Sequence, residues 1–240
     1  MSTTSYPTAA NGPDLPLRTQ ALLLDMDGTL IDSGDAVERA WNQLLQELGG
    51  GLTFSHAMHG KPARQTLREL YPDFSEEQIT AAHRRIEELE IADVAGIEVL
   101  PGTQRLLAEL DAAAEQLGRP TWTVVTSCTR ELFTARWERT GLPEPAHTVT
   151  ADQVTRGKPD PEPYRVGAER LGVEPAQAVV IEDAVGGLTS GRAAGCPTIA
   201  VTSTTPAAEL ADLAGALITS LDDLEVHVDS EDLLVTRRGG

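Results

Sequence analysis

Three segments of the 240-residue chain, TWTVVTS (Thr121–Ser127), AVVIEDA (Ala178–Ala184) and PTIAVTST (Pro197–Thr204), are apolar and β-branched, and each follows a helical stretch closed by a glycine, Gly118, Gly172 or Gly195. Strands that alternate with helices in this way build a doubly wound parallel sheet with helices on both faces. A fourth run, ALLL at Ala21–Leu24, is short, unbroken by polar residues and bounded by Gly28, which suits a strand buried on both faces. The weaker ALITSL (Ala216–Leu221) adds a strand near the sheet edge.

Between Asp32 and about Leu100 the strand pattern stops. AVERAWNQLLQELG puts Val37, Trp41, Leu44, Leu45 and Leu48 on one helix face and ends at Gly49, and SEEQITAAHRRIEELE opens with a Ser75/Gln78 capping box ahead of Ile79, Ala82, Ile86 and Leu89. Residues 35–99 are therefore expected to form a small helical domain inserted after the first strand, with Gly34 and Leu100–Gly102 as hinges. The α/β core is expected over 19–34 and 100–240. Residues 1–18, rich in Ser, Thr, Pro and Asn, read as a disordered leader.

The formal charge of −18 repels polyanions, and no basic run overrides it, so nucleic acid and acidic membrane surfaces are not expected partners. No window approaches 18 apolar residues, and the opening stretch lacks the basic and apolar regions of a secretory signal. Cys128 and Cys196 lie far apart without metal-ligand spacing, which fits a reducing cytoplasm. A monomer or weak dimer is expected.

Asp25 and Asp27 follow ALLL one residue apart, at the carboxyl edge where open α/β sheets bind ligands. Near-extended backbone would point both into one pocket; the alternative is a turn built on Asp27-Gly28. Other strand ends supply Thr126 and Ser127, then Glu182 and Asp183, and between them lies Lys158 in RGKPDPEPY. Lys61 and Lys158 are the only lysines among 19 basic residues, so a lysine here suggests the need for a compact ammonium rather than a planar guanidinium. Carboxylates without imidazole suit Mg²⁺. A hard cation, an ammonium and hydroxyl or amide donors around a carboxylate nucleophile form a phosphoryl-transfer site, because a phosphate dianion approaches an aspartate only when its charge is neutralised.

DMDGTL, Thr126 after an apolar strand, GKPDPEPY and EDAVGGLTSGRAAGC resemble the four motifs of the haloacid-dehalogenase-like phosphohydrolases, and the helical insert stands where that superfamily carries its first-type cap. The resemblance runs from about Leu22 to Thr202. TSCTREL, TADQVTRGKPDPEPY and HGKPARQTL are most similar to phosphatases acting on glycerol phosphate, 2-deoxyglucose 6-phosphate and related small sugar or polyol phosphates.

The resemblance implies Asp25 as nucleophile, forming an aspartyl phosphate, and Asp27 as general acid–base. It also implies Mg²⁺ held by Asp25, the Asp27 carbonyl, Asp183 and Glu182, the last directly or through water. Thr126, Lys158 and amides near Gly28 and Ser127 would bind the phosphate. A phosphosugar mutase of the β-phosphoglucomutase type shares all four motifs and remains the alternative. A phosphonatase would need Lys61 for a Schiff base, a dehalogenase would lack Asp27 and Asp183, and a non-catalytic binding module would have lost a nucleophile or ligand. In the cap, HAMHGKPARQTL reads as a loop that brings His59, Lys61 and Arg64 over the site to select the leaving group. His56 and His59 lack a carboxylate partner at metal-ligand spacing and read as loop or substrate-facing residues. Cys128 reads as a small apolar filler.

Overall fold

The computed structural model describes residues 15–54 and 63–239. A first short strand, β1 (Leu17–Thr19), precedes β2 (Ala21–Leu24), whose four side chains are all fully buried, as an uninterrupted apolar run demands. After β2 the chain makes β3 (Ile31–Asp32) and enters a helical unit of α1 (Gly34–Leu48), α2 (Ala63–Leu70) and α3 (Glu76–Ala92). It returns through β4 (Glu98–Val99), which pairs antiparallel with β3 as Ile31↔Val99 and Asp32↔Glu98, so the exit and re-entry points of the insertion are tied side by side.

The remaining elements alternate. They are α4 (Thr103–Leu117), β5 (Trp122–Val125), α5 (Arg130–Thr140), β6 (Thr148–Val149), α6 (Glu162–Arg170), β7 (Ala178–Glu182), α7 (Val185–Ala194), β8 (Thr198–Val201), α8 (Ala207–Leu210) and β9 (Ala216–Ile218). The main sheet is parallel throughout, with order β6-β5-β2-β7-β8-β9. β2 is central, pairing Leu22↔Trp122 through Leu24↔Val124 on one side and Ala21↔Ala178 through Leu24↔Ile181 on the other. The doubly wound parallel sheet expected from the sequence is present, and β9 lies at its edge.

Alternation along the strands divides the core in two. Leu22, Leu24, Val124, Val179 and Ile181 pack with Leu106, Leu107 and Leu110 of α4 and Phe133 and Trp137 of α5. Ala21, Leu23, Val125 and Val180 face Tyr164 and Ala168 of α6. Each fully buried leucine contributes about 1.5–3 kcal/mol, so β2 is anchored firmly and the acids at its end inherit a rigid base.

The helical unit has its own core, in which Trp41, Leu44, Leu45, Phe54, Leu67, Ile79, Ile86 and Leu89 meet, and Trp41 stacks on Phe54 with ring centroids 5.8 Å apart. The Ser75/Gln78 capping box at the start of α3 is formed in both directions.

Two features differ from the sequence expectations. Leu17 and Arg18, expected in a leader, belong to β1, which pairs antiparallel with β11 (Asp232–Arg237) and buries Leu17. Together with β10 (Leu224–Asp229) these strands form a second sheet, order β1-β11-β10, laid against α4, with Val226 N–H donating to Glu109 Oε2 at 3.0 Å. Gly102 at the N-cap of α4 has φ 88°, and a Cβ there would strike the backbone of Leu221 and Asp222, which lead into β10. A glycine is therefore required here by the close packing of this segment on α4. The segment read as a cap loop instead becomes helical from Ala63, because ARQTLREL carries Thr66 and Leu67 to one buried face.

Candidate active site

The carboxyl ends of β2, β5 and β7 meet at one place. Asp25 continues the sheet ladder beyond β2, its N–H donating to Ile181 O at 3.0 Å, so its position is set by main-chain pairing. The chain then turns sharply: the Met26 carbonyl accepts from Leu30 N–H at 2.8 Å, and Gly28 N–H donates to Ile31 O at 2.8 Å. Gly28 has φ 82°, and a Cβ there would collide with the Asp183 carboxylate, so only glycine fits.

Lys158 fills the centre of this edge. Its Nζ donates to Asp25 Oδ1 at 2.6 Å, to Glu182 Oε1 at 2.6 Å and to Val125 O at 2.9 Å, with the side chain only 8 % exposed. Three donors meet three acceptors, a tripod that an ammonium satisfies and a planar guanidinium does not. Burial works against its charge, but the Asp25 and Glu182 carboxylates outweigh burial and raise its pKa. Glu182 is engaged on both oxygens: Oε1 also accepts from Tyr164 Oη at 2.8 Å, and Oε2 accepts from the N–H groups of Asp183 (3.1 Å) and Ala184 (3.2 Å).

Asp183 completes the cluster. Thr29 Oγ1 donates to its Oδ1 at 3.4 Å and Thr204 Oγ1 donates to its Oδ2. Burial, then the Glu182 carboxylate beside it, pushes its pKa up to about 7. Asp25 is likewise held well above the usual carboxylate range, by burial first and then by Glu182 and Asp183, against the pull of Lys158. Oxygens of Asp25, Glu182 and Asp183 come within 4.8 Å of one another. Three buried acids against one ammonium carry an excess of negative charge once all are ionised, and an all-oxygen donor set of this kind fits a hard divalent cation.

Asp27 faces different partners. Its Oδ1 accepts from Ser33 Oγ at 2.6 Å and pairs with Arg136 Nη1 at 2.8 Å, while the Cys128 thiol donates to Oδ2 at 3.2 Å. Thr126 is buried at the end of β5, with its Oγ1 accepting from Cys128 N–H at 3.1 Å, and Ser127 beside it is exposed. The structure thus brings Asp25, Gly28, Thr126, Lys158, Glu182 and Asp183 to one sheet edge, with Asp27 alongside.

The expected cap residues fare differently. His56, His59 and Lys61 lie outside the described residues. Arg64 sits in the first turn of α2 and turns to α3, donating to Thr80 Oγ1 at 2.7 Å and pairing with Glu76 at 3.8 Å, so these contacts stay within the helical unit. Sequence reasoning missed Arg136 and Glu90. Arg136 was in principle visible, because it falls in phase with Leu132, Phe133 and Trp137 on the buried stripe of α5.

With this geometry in view, the relatives of the chain are informative. Hexitol phosphatase A of Escherichia coli (strain K12) is 43 % identical over 189 residues, covering 77 % of this chain and 84 % of its own. Glycerol-1-phosphate phosphohydrolase 2 of Saccharomyces cerevisiae is 34 % identical over 206 residues, covering 79 % and 77 %. Among solved structures, CbbY from Rhodobacter sphaeroides in complex with phosphate superposes with a TM-score of 0.71 at 26 % identity, covering 85 % of this chain and 95 % of its own. The sequence profile of the haloacid dehalogenase-like hydrolases matches residues 22–201, a span that opens in β2 and closes at the end of β8. A match over that whole span, on a parallel sheet with its acids at the carboxyl edge, places the chain in the haloacid dehalogenase-like hydrolase family.

Proposed function

We propose that the protein hydrolyses small sugar or polyol phosphate monoesters through an aspartyl phosphate on Asp25. The observation that carries this reading is the separation of two acids only one residue apart. Asp25 bonds to Lys158, whereas Asp27 bonds to Ser33, Arg136 and Cys128. Two carboxylates with disjoint partners can take two roles. The sugar and polyol phosphatases among the relatives support the substrate class.

In the first displacement an Asp25 oxygen attacks phosphorus, the ester P–O bond breaks, and Asp27 gives its proton to the departing alkoxide. In the second, water attacks phosphorus as Asp27 takes its proton, the P–O bond to Asp25 breaks, and the free carboxylate returns. Splitting the reaction is the gain of covalent catalysis, and the proton transfers supply roughly 10²–10⁴ in rate. Lys158, Thr126 and amides near Gly28 and Ser127 hold the phosphate oxygens. Mg²⁺ would be held by Asp25, Asp183 and the Asp27 carbonyl, and when bound it neutralises phosphate charge. Glu182, with both oxygens already accepting, would serve chiefly to hold Lys158 beside the cation.

The test is an initial-rate assay on hexitol, glycerol and deoxyhexose phosphates with Mg²⁺, measuring inorganic phosphate. Phosphate released in proportion to substrate consumed is the expected result. Conversion of β-glucose 1-phosphate to glucose 6-phosphate without comparable phosphate release would instead make the protein a mutase.

The acid cluster also makes a prediction that does not depend on turnover. Asp183→Asn relieves repulsion with Asp25 and Glu182, so without metal the variant should melt about 2–4 °C higher, the effect of about 1 kcal/mol in a chain of this size. The same variant should lose most of the thermal shift that millimolar MgCl₂ gives the wild type. A full magnesium shift in the variant would remove Asp183 from the ligand set.

A further inference from the structure

Arg136 is 4 % exposed, and its guanidinium joins three separate parts of the chain. Nη1 reaches Asp27 Oδ1 at 2.8 Å and Cys128 Sγ at 3.3 Å, and Nη2 reaches Glu90 Oε1 of α3 at 3.5 Å. Burying a guanidinium is costly, and a hydrophobic side chain of similar volume in the same helix stripe would often serve stability equally well or better. Its Nε, also buried, has no hydrogen-bond partner among the described residues. The residue is therefore poorly explained as a packing element.

What it does is make the two oxygens of Asp27 unequal. Oδ1 receives two strong donors, the Ser33 hydroxyl and the Arg136 guanidinium, whereas among the described residues Oδ2 accepts from the Cys128 thiol, a weak donor held at 3.2 Å. Oδ1 is thereby held by two strong donors, and Oδ2 is the less strongly engaged oxygen. The second nitrogen extends the same tie to the helical unit. Glu90 is nearly buried there, and one turn before it Glu87 Oε1 accepts a hydrogen bond from Thr129 Oγ1 at the N-cap of α5. Two adjacent polar contacts of α3 thus fall on the segment that carries Thr126, Cys128 and Arg136.

We propose that Arg136 is a positioning residue for Asp27, pinning Oδ1 so that Oδ2 passes the proton, and that its contact with Glu90 couples this alignment to the seating of α3 on the core. The inference rests on the reading of Asp27 as general acid–base. It deepens that reading by naming the groups that orient the acid.

The test uses the leaving group. The quantity kcat/KM counts steps only through departure of the alcohol; a sugar or polyol alkoxide needs the proton of Asp27, and p-nitrophenolate leaves without it. Arg136→Gln should lower kcat/KM for hexitol or glycerol phosphate about tenfold or more beyond any loss on p-nitrophenyl phosphate, a fraction of the roughly 10²–10⁴ that a general acid supplies. Arg136→Lys keeps one donor for Oδ1 and should recover part of that difference; it also carries the test if the glutamine variant fails to fold. Placed on top of Asp27→Asn, Arg136→Gln should add no further discrimination between the two substrates. Equal losses on both substrates, or no loss on either, would overturn the inference while leaving the role of Asp27 intact. If Asp27→Asn itself fails to discriminate between the substrates, the acid–base reading has failed and the inference falls with it.

Discussion

Asp25→Asn should reduce phosphate release to less than about a thousandth of the wild-type rate, a loss of at least roughly 4 kcal/mol of transition-state stabilisation, while leaving the fold intact. The carboxamide has no anionic oxygen with which to form the acyl phosphate. The site should tolerate the change well, because Asp25 is a buried acid crowded by Glu182 and Asp183. Lys158 keeps Glu182 and Val125 O as acceptors, so no buried ammonium is left unpaired. Circular dichroism and thermal melting would verify the fold, and ³²P transfer from substrate to denatured protein would be lost together with turnover. A variant keeping more than about a hundredth of the wild-type rate would mean that another group attacks phosphorus, since that corresponds to under roughly 3 kcal/mol of barrier.

Lys158→Met should cost both activity and stability, in contrast to Asp25→Asn. The thioether fills a similar volume but leaves Asp25 and Glu182 without the ammonium that pairs with them, and removing one member of a buried ion pair costs about 3–5 kcal/mol. For a domain of this size that is a fall in melting temperature of roughly 6–20 °C without metal. Part of the loss should return on adding Mg²⁺, which on the proposed reading would supply positive charge to the same oxygens. Turnover should stay below about a thousandth of wild type even then, because phosphate would lack its fixed cation. Lys158→Arg should not rescue it, since the ammonium is enclosed by Asp25, Glu182, Val125 O and the Tyr164 ring, whose centroid lies 5.0 Å away. Unchanged metal-free stability in Lys158→Met would show that the acids are discharged by some other means.

Much of this arrangement was legible because it rests on local signals. ALLL and AVVIE are buried on both faces and could hardly be anything but central strands, so the acids that follow them fall at the same sheet edge. The rarity of lysine drew attention to Lys158, and its tripod of acceptors supplies the physical reason. What escaped was set by distant partners. β6 is two residues long and exists because Val124 and Val125 offer it an edge. LEVHVD and DLLVTR form a hairpin whose place is fixed by α4 and by β1. Arg136 is one arginine among 17, and only its phase with Leu132, Phe133 and Trp137 separates it from those in solvent. The loop reading around Arg64 failed at Ala63, where a helix-competent stretch found the apolar face of α3 to pack on.

The pairing of β1 with β11 has a consequence for how the chain is made. β2, β5 and β7 can zip together as they are synthesised, but roughly two hundred residues separate Leu17 from its partner Val235, and contacts so far apart in sequence form late. On the ribosome, Leu17–Thr19 must therefore stay unpaired while the catalytic sheet assembles, and it can dock only after β11 has left the exit tunnel. β11 closes over β1, and a nascent chain arrested before β11 would present Leu17 and the buried face of α4 to any chaperone nearby.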